Sequence, residues 1–354
     1  MQSSPTRPLS SLSLSLSLSV VLFLVACHRN SSSEGTSAPA NESTATPPTT
    51  AAPTSPPPSE PRGEGGTLII PKTRLQAPAG VNRWEPSGAA VIGDELWIVS
   101  DRGGRLAAYS LPLPEGAHRP IRSFTLELPL ENRLKLEGLE LQADGSLLIL
   151  EVISRSLWRC AAPLEGCPSL ERVDLSAAQP RLDALPPRPF KYVMLESVLV
   201  AGGERYVGTR GYMPREGEAQ TLTAILNPTG AHFFSRPEGF VLDGRSYGLS
   251  GATATGEGLW TTWSSEKEDS VRSRDLFGLV AYSAGATASE WGTPTPCYRF
   301  QAKPEGVARW RDQLIVVFDE DKDRKGGSIP SDRFPLEGSE DYAWSGPARC
   351  ESGN

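Results

Sequence analysis

Five stretches of this chain repeat one layout, and that repetition limits the fold more than any other feature of the sequence. SGAAVIGDELWIVSD begins at Ser87, EGLELQADGSLLILE at Glu137, ESVLVAGGERYVGTR at Glu196, SGATATGEGLWTTWS at Ser250 and EGVARWRDQLIVVFD at Glu305. Each opens on Ser or Glu, continues with a small residue and a short apolar run, turns at Gly or Asp, and enters a second, more hydrophobic run. Apolar runs joined by such turns mark β-hairpins. The starts lie 50, 59, 54 and 55 residues apart, room for a four-stranded antiparallel sheet with its loops. The pattern therefore predicts an all-β chain folded as a five-bladed β-propeller. A further hairpin within 217–244 would make six blades, the alternative count. Gly66–Leu75 ahead of the first unit and Asp341–Cys350 after the last read as strands that meet and close the ring.

In a propeller the first strand of each blade lines the central channel, so Ser87, Glu137, Glu196, Ser250 and Glu305 are expected to ring its mouth. Three carboxylates aimed at one axis repel one another unless a cation sits among them or some are protonated. Hard oxygen donors without His or Cys select Ca²⁺, which accepts irregular geometry, over Mg²⁺, which demands an octahedron. The alternative is that each Glu or Ser bonds a neighbouring strand's backbone. Fourteen residues after each opener stand Asp101, Glu151, Arg210, Ser264 and Asp319, and a hairpin returns these to the same edge. The tryptophans Trp97, Trp158, Trp260 and Trp310 fall in or beside strands and are expected to pack between blades.

The order Ser, Glu, Glu, Ser, Glu is accompanied by short matching stretches. These are Ser100-Asp101-Arg102-Gly103-Gly104, Leu195-Glu196-Ser197, Gly208-Thr209-Arg210, Thr262-Trp263-Ser264-Ser265-Glu266-Lys267-Glu268 and Lys303-Pro304-Glu305-Gly306-Val307. Together they resemble the calcium-activated nucleotidases of the apyrase family. The resemblance implies a structural Ca²⁺ on the axis and hydrolysis of nucleoside di- and triphosphates, or another phosphorylated small molecule, beside it. On that reading Arg102, Arg210 and Lys267 neutralise phosphate, while Asp101, Glu151 or Asp319 holds a water or a second metal. Gly66–Leu75 lacks the acid of the family's first strand, Val152–Ser156 replaces a Lys-Glu-Trp segment, and Arg210 is the survivor of an arginine pair. Two other expectations stand beside hydrolysis by an apyrase-like site: a non-catalytic propeller that binds a surface protein or glycan, and a phytase-like or lactonase-like hydrolase.

The chain begins with Arg7, then an uncharged stretch closing on Leu24-Val25-Ala26-Cys27. This reads as a lipoprotein signal peptide over 1–26, cut before a lipidated Cys27. Residues 27–65 are almost all Ser, Thr, Pro, Ala, Gly and Glu, which bury too little apolar surface to order. They predict a disordered tether ahead of a domain over 66–354. The expected location is a bacterial outer membrane, with the protein exported, anchored through its lipid and monomeric. Cys160, Cys167, Cys297 and Cys350 predict disulfides in an oxidising compartment. Proximity favours Cys160–Cys167, leaving Cys297–Cys350. A net charge of −7 without any Lys/Arg run excludes nucleic acid as partner.

Overall fold

The structure, a computed structural model, describes residues 68–81, 84–129, 134–173, 195–209, 223–226, 231–234, 241–242, 245–265, 278–300, 302–319 and 341–350. All belong to one compact unit, Ser59–Asn354. The expected signal peptide, Cys27, the tether, Arg210 and Lys267 lie outside the described residues.

The described strands are all-β and propeller-like. They form five sheets, each beginning at one of the repeated units. The first orders Pro86–Ile92, Glu95–Ser100, Arg105–Ser110 and Arg122–Thr125, and the second Leu136–Leu141, Leu147–Glu151, Ser156–Cys160 and Leu170–Val173. The third orders Leu195–Ala201, Glu204–Thr209, Thr223–Leu226 and Ala231–Phe234. The two strands at 223–226 and 231–234, within the segment suspected of holding a sixth unit, are therefore in the third sheet. The fourth runs from Arg245–Ala254 through Gly258–Ser265 and Gly278–Ala284 to Thr295–Phe300, with Val241–Leu242 on its inner edge. The fifth begins Pro304–Trp310, Gln313–Phe318 and Asp341–Pro347.

Both chain ends meet in the fifth sheet. Thr73–Leu75 pairs antiparallel with Asp341–Pro347, Thr73 opposite Ala343 and Leu75 opposite Asp341, as the terminal strands predicted. Leu68–Ile69 instead extends the fourth sheet, parallel to Thr295–Phe300, so the entering chain stitches two sheets together. Disulfides Cys160–Cys167 and Cys297–Cys350 are both formed. The second fastens the end of the last sheet to the outer strand of the fourth.

Apolar side chains fill the gap between each sheet and the next. Trp97 and Val99 meet Leu139, Leu147 and Trp158 between the first and second sheets, and Leu148 and Leu150 meet Val198 and Val207 between the second and third. Leu199 and Tyr206 meet Ala252 and Leu259, Trp260 and Phe300 meet Val316 and Phe318, and Trp310 and Ile315 meet Leu96 and Ile98. The last of these joins fifth sheet to first, so the cycle is closed. The four tryptophans singled out in the sequence all pack between sheets in this way.

At the centre the five first strands lie against one another in cyclic order, and the small residue after each opener explains how they can. A Cβ on Gly138 would lie 2.8 Å from the backbone N of Val198, and one on Gly306 would lie 2.4 Å from the carbonyl O of Ser87. Gly88 and Gly251 are crowded by neighbouring backbone in the same way. The third strand has Ser197 at this place, and there the compensating glycine is Gly208, 2.2 Å from Ser197 Oγ at its would-be Cβ. Gly306→Ala should therefore force backbone apart and cost about 1–3 kcal/mol in chemical denaturation. Gly292→Ala, where a Cβ meets nothing within 4 Å, should stay within about 0.5 kcal/mol of the parent.

Candidate metal centre

Each first strand carries a β-bulge at the same place. The register slips by one residue between Pro86 and Ala89, Leu136 and Gly138, Leu195 and Ser197, Leu249 and Gly251, and Pro304 and Gly306. The opener of each unit sits in the slip. A bulge re-aims a side chain that the two-residue alternation of a strand would commit to one face.

At three of the five bulges the result is a buried acidic cluster. Glu137, Glu196 and Glu305 each offer a carboxylate oxygen, and the three oxygens lie within 4.8 Å of one another. They line a small axial cavity, with room for about one water-sized guest, whose walls are otherwise Gly88, Gly138, Ser197, Gly251, Gly306 and apolar neighbours. The donor set is oxygen only, which suits a hard divalent cation.

Ser87 and Ser250 are buried but are not among the residues lining that cavity. Ser250 Oγ donates to the carbonyl of Pro304 at 2.6 Å and lies 3.2 Å from Thr262 Oγ1. It ties the fourth sheet to the fifth through the backbone. Of the five expected oxygens, the three carboxylates are brought together, while the Ser250 hydroxyl is bound to a neighbouring carbonyl.

Basic groups stand around the cluster: Arg102, expected from the sequence, and Lys135 and Lys303, to which the sequence assigned no role. Lys135 Nζ pairs with Glu137 Oε1, and Lys303 Nζ lies 2.7 Å from Glu305 Oε1. Arg102 Nε bonds Glu85 Oε2 at 2.8 Å and lies 3.3 Å from Asp101 Oδ1. The signal was available: Glu85, Lys135 and Lys303 all stand two residues before an opener. Burial pushes the Glu137 carboxyl up, against the pull of Lys135 and with the repulsion of Glu305. Burial also raises Asp101, with Arg102 and Lys135 opposing it. For Lys135 burial works against the charged form, yet Glu137, Glu196 and Asp101 together outweigh it and the ammonium is held above its ordinary value.

The residues fourteen after each opener divide. Asp101 and Asp319 donate their N–H to the carbonyls of Glu85 and Lys303, which sets them at the same edge as the openers. Glu151, expected as a water or metal holder, is instead bound up in the turn it begins. Its Oε1 accepts the N–H of Ile153 at 3.0 Å and of Lys135 at 3.4 Å, and its Oε2 accepts the N–H and Oγ of Ser154. Deeper along the first strand of the second sheet, Glu140 is buried, accepts a bond from Thr253 Oγ1 of the fourth sheet at 3.4 Å, and is pushed well up by that burial.

No protein-family model matches the chain, and no curated protein matches it. Among solved structures it is similar to YCF48 bound to D1 peptide (12% identity, TM-score 0.32, covering 67% of this chain and 61% of that one). It is also similar to a GH43_1 enzyme from Xanthomonas citri complexed with xylose (11%, 0.43, 75% and 88%) and to the Neurospora crassa Pan2 WD40 domain (10%, 0.35, 70% and 78%). The chain spans less than two thirds of the YCF48 chain's length. Likeness of this degree assigns neither blade number nor activity.

Two outcomes follow from the geometry. Glu151→Ala removes the acceptor for the N–H groups of Ile153 and Ser154 in the turn that follows and should cost about 1–3 kcal/mol in denaturant melts, whereas a group acting only in chemistry would leave stability unchanged. Glu140 holds its proton in the folded chain at pH values where the unfolded chain has lost it, so stability contributed at low pH declines as pH rises past the ordinary carboxylate range. Glu140→Gln should accordingly stabilise the protein at pH 7–8 and change little at pH 4, measured by denaturant melts at both.

Proposed function

We propose that this chain is an exported lipoprotein, anchored to a bacterial outer membrane by a lipid on Cys27, whose domain is a five-bladed propeller of the apyrase kind that binds calcium on its axis. The blade number is supported by five sheets packed in a closed cycle. The observation that carries the metal is the convergence of Glu137, Glu196 and Glu305 within 4.8 Å in a buried site. Those three carboxylates would hold the ion, which would supply positive charge at the channel mouth for a phosphate oxygen.

The ligand proposed for that mouth is a phosphorylated small molecule, nucleoside di- and triphosphates first. Asp101, Arg102, Lys135 and Lys303 are the described groups around the triad that support it, Asp101 as proton acceptor and the three cations as phosphate partners. Arg210 and Lys267 remain part of the proposal by resemblance alone. The second reading, a calcium-dependent binder of a surface protein or glycan, is favoured by Glu151 being committed to its turn and Arg102 to Glu85 and Asp101.

Thermal melts with Ca²⁺ against chelator test the metal. At a hundredfold excess over Kd the ion should add about 2.7 kcal/mol, raising Tm by roughly 5–10 °C. Glu305→Gln should abolish that shift, and no shift in the parent protein would sink the calcium reading. Phosphate release from a nucleotide panel then separates the two functions: stabilisation without turnover selects the binder.

A further inference from the structure

Two of the three axial glutamates have a lysine two positions ahead, and both lysines fold back onto their own glutamate. Lys135-Leu136-Glu137-Gly138 and Lys303-Pro304-Glu305-Gly306 share the spacing, and in each the ammonium meets Oε1 of the glutamate. The carbonyls of Lys135 and Lys303 accept the N–H of Val152 and Asp319 at 3.0 and 3.1 Å, so the two lysines stand at matching positions in the second and fifth sheets. Their side chains are 28% and 16% exposed, while both partner carboxylates are 5% exposed. In each pair the lysine side chain is thus the more exposed partner and the carboxylate the more deeply buried one.

Buried carboxylates need positive charge close by, and in this arrangement the chain itself supplies it. A divalent cation among the three glutamates would answer the same need through the same carboxylates. The cavity has room for about one water-sized guest, and like charges in so small and poorly hydrated a space repel strongly. The lysines and the ion therefore exclude each other from contact with the ring.

Resting on the calcium reading above, we infer that Lys135 and Lys303 are tethered counter-cations which a divalent ion displaces, and that the two displaced ammonium groups then form a phosphate-binding pair at the channel mouth. The lysines weaken metal binding by competing for it. In return, metal binding frees them for an oxyanion. Metal and phosphate then bind with positive and reciprocal coupling, and the site is a coincidence detector of the two.

Calorimetric titration of the full-length chain with CaCl₂, and with inorganic phosphate kept below its solubility limit with calcium, tests this. Lys135→Met/Lys303→Met should bind calcium at least tenfold more tightly than the parent. Saturating calcium should tighten phosphate binding at least tenfold in the parent and not in the double variant. Unchanged or weaker calcium binding by the double variant overturns the inference. Should that variant not fold, the parent alone decides, since phosphate affinity indifferent to calcium overturns it equally. Calcium bound equally well by both proteins removes the displacement and leaves the metal site standing; calcium bound by neither removes both.

Discussion

The close approach of five first strands to one axis is the constraint on which the rest depends. It is a steric condition before it is an electrostatic one. Backbone reaches backbone at Gly88, Gly138, Gly251 and Gly306 because there is no Cβ to hold the strands apart. Only within that spacing can glutamates from the second, third and fifth sheets bring their oxygens within 4.8 Å. The bulge one residue earlier is the other half of the device. It releases the opener from strand alternation, so glycine can face the neighbouring strand while the preceding Glu turns to the axis.

Stability gives no reason to place charge at such a spot. Buried ion pairs commonly contribute little net stability compared with well-packed apolar side chains, because desolvation offsets their attraction. Here the cost recurs: Lys135–Glu137 and Lys303–Glu305 are partly or wholly buried, and Glu196 joins them. Elsewhere among the described residues the sheets meet mainly through apolar side chains, with Glu140 on Thr253 as a buried polar exception. Three acids converging on the axis carry a desolvation cost that a bound cation, as the calcium reading proposes, would offset.

Much of this was readable beforehand. The repeated units announced the strands, the acid at three openers announced the cluster, and the short spacing from Cys160 to Cys167 announced its disulfide and, by elimination, the other. What escaped was information that lies between residues. A bulge leaves no composition mark beyond the Gly that follows it. Lys135 and Lys303 were visible as residues, but only the fold makes a position two ahead of the opener face the opener's own carboxylate. Glu151 shares its offset with Asp101 and Asp319; its fate is decided by a turn, Val152 to Arg155, whose free N–H groups at Ile153 and Ser154 it can reach. Ser250 diverges from the glutamates because its short hydroxyl side chain finds the carbonyl of Pro304.

The charges around the axis are also unevenly spread, and this bears on where a ligand would sit. Glu85, Asp101 and Arg102 belong to the first sheet, Lys135 to the second and Lys303 to the fifth, and these three sheets are consecutive around the ring. Asp101 feels both lysines and Glu305, so the arc is one electrostatic unit. An anion drawn to the mouth would settle over that arc, off the axis, with the carboxylate triad at its side. On the calcium reading, an ion on the triad would lie beside such an anion and present charge to it. Were a ligand on this arc to exchange a proton, Asp101 would be the group placed for it, since burial raises its carboxyl and favours the protonated form more than in a free one.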